Sequence, residues 1–239
     1  MTTAVYLLLI TVSVSYFHQS NAGTFSIDYN NHCFVKDGKP WQYISGSVHY
    51  FRIHPDLWED RLKRVRALGF NAIQVYTAWV LHEPTSGKID FASPGLNISR
   101  FFELAYQNEL AVLLRPGPYI CAESDYGMLP WWLVNIDGIK LRTYETNYIN
   151  AVQRYYNRLL DEVKPLTYKN GGPIIMVQIE NEYSALGIAL YVPSPIIKPK
   201  NTVILIELTG AQQNYINFIN HTIYYYPNYN VNKWGCNLP

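Results

Sequence analysis

The 239-residue chain carries 19 Lys and Arg against 18 Asp and Glu, a formal net charge of +1 at pH 7. Hydrophobic residues make up 49% of it, enough for a sizeable core, which excludes disorder as the global state. A charge so near zero sets up no field for a polyanion, so no nucleic-acid partner is expected.

Taken from the amino terminus, the run Ala4 to Phe17 contains no charged residue, and small residues follow at Ser20 and Ala22. This pattern reads as a cleaved secretory signal over residues 1–22, too short to cross a bilayer comfortably. The mature chain is then expected to begin at Gly23 and travel the secretory pathway, to the lysosome or the extracellular space, with no membrane span. Two Asn-x-Ser/Thr triplets, at Asn97 and Asn220, are candidate glycosylation sites in that compartment. The three cysteines, Cys33, Cys121 and Cys236, lack metal-ligand spacing and allow at most one internal bridge, its pairing left open.

Between residues 41 and 183 short apolar runs alternate with amphipathic ones, the pattern of parallel strands joined by crossover helices. Strands are predicted at Gln42–Val48, Ala72–Tyr76, Ala111–Arg115 and Pro173–Ile179. Helices are predicted at Leu57–Leu68, Ser99–Asn108 and Tyr148–Val163, the first with Leu57, Arg61, Val65 and Leu68 on one face and Gly69 as its stop. The fold class is α/β, a partial (β/α)8 barrel of about four βα units. After Ser184 the alternation stops. Two strand-like runs, Ile188–Val192 and Thr202–Leu208, flank a Pro-rich stretch, and a Tyr/Asn-rich end follows without periodicity.

Each predicted strand ends in polar or aromatic residues, and in such folds active sites gather at the carboxyl ends of strands. The run Gln178-Ile179-Glu180-Asn181-Glu182-Tyr183 closes the last one. Strand alternation puts Glu180 and Glu182 on one side and Asn181 on the other, unless a bulge intervenes at the strand end. A partly desolvated carboxyl there has its pKa raised and can act as a general acid. Arg115-Pro116-Gly117-Pro118-Tyr119-Ile120-Cys121-Ala122-Glu123 is a second strand end followed by a stiff loop that presents its side chains in fixed directions. Trp131 and Trp132 read either as an aromatic wall beside it or as core. His82, in Tyr76 to Pro84, reads as a hydrogen-bonded support. Nothing calls for a metal or another cofactor.

Together with Ile44 to Arg52, these stretches resemble the family 35 glycoside hydrolases, the β-galactosidases, over about residues 25 to 184 in family order. The resemblance implies a (β/α)8 barrel followed by β-sandwich domains, and retaining hydrolysis of terminal β-galactosyl residues from glycans. It places Glu182 as general acid/base and Tyr76, Cys121, Ala122, Glu123 and Asn181 at positions that hold galactose. Val80, Ser124 and Ser184 depart from the residues usual there, Asn, Trp and Gly. Retention also needs a second carboxylate about 5 Å from the acid, as nucleophile. In the family it lies on a later barrel strand, and after Glu182 this chain holds only Glu207. Residues 23–184 are therefore expected to be the first part of the barrel, and residues 185–239 a remnant of the C-terminal sandwich plus the irregular tail, with the middle of a longer enzyme missing. A truncated β-galactosidase without its nucleophile is one expectation, and a non-catalytic carbohydrate-binding or inactive fragment the alternative.

Overall fold

A computed structural model describes residues 22–183 and the strand 203–206. The first elements form a small antiparallel meander of β1 (Phe25–Asp28), β2 (Cys33–Lys36) and β3 (Lys39–Trp41). Asp37 (φ +51°) and Gly38 (φ +76°) make the two-residue turn between β2 and β3. Both lie in the left-handed region that an Asp-Gly hairpin turn uses, a signal the strand-helix alternation passed over.

The main sheet has five strands, all parallel, in the order β4 (Ser45–Ser47), β5 (Ala72–Tyr76), β6 (Ala111–Gly117), β7 (Ile174–Ile179) and β8 (Val203–Ile206). Helix α1 (Trp58–Ala67) crosses from β4 to β5 and α4 (Thr146–Val163) from β6 to β7. The short α2 (Trp79–His82) and then α3 (Ile98–Gln107) lie between β5 and β6. Most predicted elements stand within a few residues of these bounds, although the strand expected from Gln42 is paired only over Ser45–Ser47.

Two features correct the sequence reading. The buried face of α1 is Trp58 and Leu62, while Leu57 and Leu68 are exposed. The cause is the Trp58 indole, whose Nε1 donates to the carbonyls of Tyr50 (3.1 Å) and Ile53 (3.0 Å) and turns that side of the helix inward. Gly69 does end this helix, at φ +93°. The second correction concerns the sheet edge. A partial barrel of four βα units would leave β7 as an unpaired edge, yet β8 pairs with it in parallel, Met176 opposite Val203 through Ile179 opposite Ile206. The apolar run Val203-Ile204-Leu205-Ile206 thus satisfies backbone groups that an edge strand leaves open. The rest of Ile188–Leu208, the expected signal segment up to Asn21, Asn220 and Cys236 lie outside the described residues.

The core has two parts because alternate strand residues face opposite sides. Ile73, Val75, Val112 and Leu114 meet the helices, with Phe101 and Phe102 of α3 and Tyr148, Val152, Tyr155, Leu159 and Val163 of α4. The last five recur at helical spacing along α4. On the other side Ala72, Leu113, Ile175 and Met176 pack with Phe25 of the meander, which covers that interior. Ile175 and Met176 are neighbours yet share this side, because the β6–β7 register shifts between Val112 and Leu113.

A buried charge ties the loop after β5 to α4. Glu83 is fully buried and accepts from Trp79 Nε1 (2.7 Å), Gly87 N (2.7 Å) and Arg154 Nε (3.0 Å). Losing a buried charged hydrogen bond costs on the order of 1–3 kcal/mol, so Glu83→Gln should lower unfolding stability by about that much in urea titration.

Candidate active site

The site is built where β4 to β7 end, and its frame is polar. Arg115, in the middle of β6, is buried, and its guanidinium bridges two neighbouring strand ends. Nη1 donates to the Tyr76 hydroxyl at the end of β5 (2.9 Å), and Nη2 donates to Oδ1 of Asn181 just past β7. With its oxygen engaged, the Asn181 side chain has its amide N–H groups for a ligand. The Tyr76 ring is stacked by His49, with centroids 4.6 Å apart, while Nδ1 of His49 accepts from the Tyr76 backbone N–H at 3.2 Å.

The loop after β6 supplies Cys121, Ala122 and Glu123. All three have positive φ, +57°, +53° and +47°, a conformation costly for residues with a Cβ. The Ala122 carbonyl is held by Arg52 Nη2 and by Ser124 Oγ (3.0 Å), so the serine standing where the family usually has Trp braces the turn. Glu123 is exposed, and Cys121 is a free, half-buried thiol, as is Cys33.

After β7 the strand alternation fails. Glu180 (φ +61°) and Glu182 (φ +46°) both turn into left-handed backbone, and the two carboxylates part: Glu180 is 1% exposed, whereas Glu182 faces solvent. The desolvation expected for the acid thus falls on Glu180. Its Oε2 is matched by Arg142, from Nη2 at 2.8 Å and Nε at 3.2 Å, and Arg142 Nη2 also reaches the Asn181 carbonyl (2.6 Å). His49 and Arg52 lie in the stretch Ile44 to Arg52 that the sequence already marked, whereas Arg142 is a part of this frame that sequence reading does not single out. Arg142 lies far from any motif, and the one hint was that a buried glutamate needs a cation.

The remaining expectations sort by burial. Trp132 is buried, packs edge-on against Trp79 and donates to the Glu83 carbonyl (2.8 Å), so it belongs to the core, while Trp131 is exposed. Val80 is half-buried on α2. Asn97 caps α3 by accepting from Arg100 N (2.8 Å), which leaves its amide nitrogen as the group a glycan would join. Among the described residues no cluster suited to a metal ion occurs, and no helix is long and apolar enough to cross a membrane.

His82 is a support. Its Nδ1 donates to the Asp90 carbonyl (2.7 Å), so Nε2 accepts from the Tyr50 hydroxyl. Burial above all lowers its pKa to about 4. Burial, then Arg52 and Arg115, lowers that of His49 to about 4.

Parallel strands with crossover helices, and polar groups gathered at the strand carboxyl ends, define part of an α/β barrel of the class that carries its site at that end of the sheet. Residues 33–209 match the sequence profile of glycosyl hydrolases family 35, and the chain belongs to that family. A β-galactosidase from Mus musculus is 51% identical over 162 residues, 68% of this chain and 25% of its own length. One from Homo sapiens is 48% identical over 161 residues, 67% of this chain and 24% of its own length. The chain thus spans about a quarter of the length of the curated relatives it matches. Among solved structures, a GH5_18 protein from Bifidobacterium longum subsp. longum ATCC 55813 superposes with a TM-score of 0.54 at 15% identity. That match covers 81% of this chain and 43% of the other, and it supports the fold.

The histidines make stability pH-dependent. Both have folded pKa values below the unfolded value near 6.5, so between about pH 6.5 and 4 the unfolded chain binds more protons and stability falls with pH. Going from pH 7 to 4.5 should cost about 2 kcal/mol per histidine in urea midpoints. His82→Gln should be less stable at pH 7 but lose less over that span.

Proposed function

We propose that this chain carries the galactose-binding and acid-catalyst side of a β-galactosidase site. Residues 23–184 form the first part of a family 35 barrel that takes terminal β-galactosyl groups of glycans, and residues 185–239 come from the far end of the same kind of enzyme. Residues 1–22 direct the chain to the secretory pathway. The observation that carries this reading is the Arg115 bridge between Tyr76 and Asn181, which gathers at the strand ends two residues that the family resemblance assigns to the galactose site.

In this reading Tyr76, Glu123, Asn181 and the backbone at Cys121 and Ala122 hold the galactose hydroxyls. Glu182 gives its proton to the glycosidic oxygen as the C1–O bond breaks. An open site makes that proton easy to replace, and water must be excluded by further barrel strands for the acid to act well. In this reading the nucleophile that would trap the sugar at C1 is a second carboxylate from outside residues 23–184. Binding without useful turnover is therefore the expected behaviour of the 239-residue chain.

The test uses the secreted chain. D-galactose should bind in calorimetric titration, and Asn181→Ala should weaken it at least tenfold. An aryl β-galactoside should be cleaved no faster than by the Glu182→Gln control. In a parent enzyme with the missing strands, Glu182→Gln should lower kcat by about 10²- to 10⁴-fold, less for substrates with good leaving groups. Absence of galactose binding, or an Asn181→Ala variant that binds as well as the parent, would overturn the assignment.

A further inference from the structure

We propose that Arg142 is a positioning residue that locks together the two loops bearing Glu123 and Glu182. This deepens the galactose-site reading and rests on it. Arg142 sits in the segment between the short helical turn at Trp131–Asn135 and α4, on neither carboxylate loop, and it is 8% exposed.

Towards the β7 loop it makes three kinds of contact. The guanidinium pairs with Glu180, donates to the Asn181 carbonyl and lies 5.3 Å from the Tyr183 ring centroid. The Tyr183 hydroxyl donates back to the Arg142 carbonyl (2.8 Å). Residues on both sides of Glu182 are therefore pinned to one side chain. A left-handed glutamate at position 182 persists only where its surroundings fix it.

Towards the β6 loop the same guanidinium covers the Tyr119 ring at 3.9 Å. Tyr119 stands two residues before Cys121, the first of the three left-handed residues that end at Glu123. One planar cation thus stacks on the loop that presents Glu123 while its edge hydrogen-bonds the loop that presents Glu182. Lysine cannot do both, because a single ammonium has neither the fork nor the stacking plane.

The second contribution is electrostatic. Oε2 of Glu180 accepts from both Arg142 Nη2 (2.8 Å) and the Asn181 backbone N–H (3.1 Å), so the turn is closed around a neutralised carboxylate. Removing Arg142 alone would leave Glu180 buried without its cation, which costs stability for reasons unrelated to the site. A double variant that removes both charges avoids that penalty and isolates positioning.

The experiment compares the parent chain, Arg142→Lys, and the double variant Arg142→Met with Glu180→Gln. Each is checked for folding by urea unfolding, then titrated with D-galactose and followed by carboxyl ¹³C NMR of Glu123 and Glu182. Expected are at least tenfold weaker galactose binding in folded Arg142→Lys and movement of both carboxyl resonances, with the double variant behaving alike. If Arg142→Lys does not fold, the double variant carries the same comparison. A folded variant with galactose affinity within twofold of the parent overturns the proposal, as does movement of only one resonance. If the parent itself binds no galactose, the galactose reading fails, and the two resonances still decide whether Arg142 couples the loops.

Discussion

The placement of the site depends on an arginine in the middle of a buried parallel strand. Arg115 interrupts the apolar run Ala111 to Leu114, and a charge there is tolerated only because its fork finds oxygens on both neighbouring strand ends, Tyr76 and Asn181. Its Nε and the nearby Thr77 hydroxyl are buried without a partner among the described residues. Such groups cost about 1–3 kcal/mol each, so the frame is set for geometry at the expense of stability.

Around this centre the chain uses two ion pairs with buried glutamates in different ways. Glu83 with Arg154 fastens the loop after β5 to α4 and sits among Trp79 and Trp132, on the helix side of the sheet. Glu180 with Arg142 lies at the strand ends and shapes the turn that exposes Glu182. Both bury a glutamate fully, and in both the arginine also touches an aromatic face, Trp132 in one case and Tyr119 in the other. Stacking shields the weakly hydrated Arg142 guanidinium, which is nearly buried with its glutamate, whereas the Arg154 side chain stays 39% exposed over Trp132.

The sheet explains how so short a stretch of a barrel holds its shape. The meander covers one side of β5 to β7 with Phe25, and the helices cover the other, so both faces of the parallel strands are dry. β8 then takes up the free side of β7. The site therefore rests on strands buried on both faces, and a rigid frame of this kind is what keeps polar side chains at the strand ends in register.

The sequence by itself determined the alternation of strands and helices, the family, and the residues that crowd the strand ends, because periodicity and local motifs are written in consecutive positions. It also marked His82 as a support. It misread the face of α1, passed over the Asp37-Gly38 turn, and put Glu180 and Glu182 on one side. Only the tertiary structure decided that Glu180 turns in to Arg142, that Arg115 bridges Tyr76 to Asn181, and that Val203–Ile206 pairs with β7. These are contacts between residues 27 to 66 positions apart, from Met176↔Val203 to Arg115 with Asn181. Which charge finds which partner across such a distance depends on how the strands stack and where the register slips, and no local pattern encodes that.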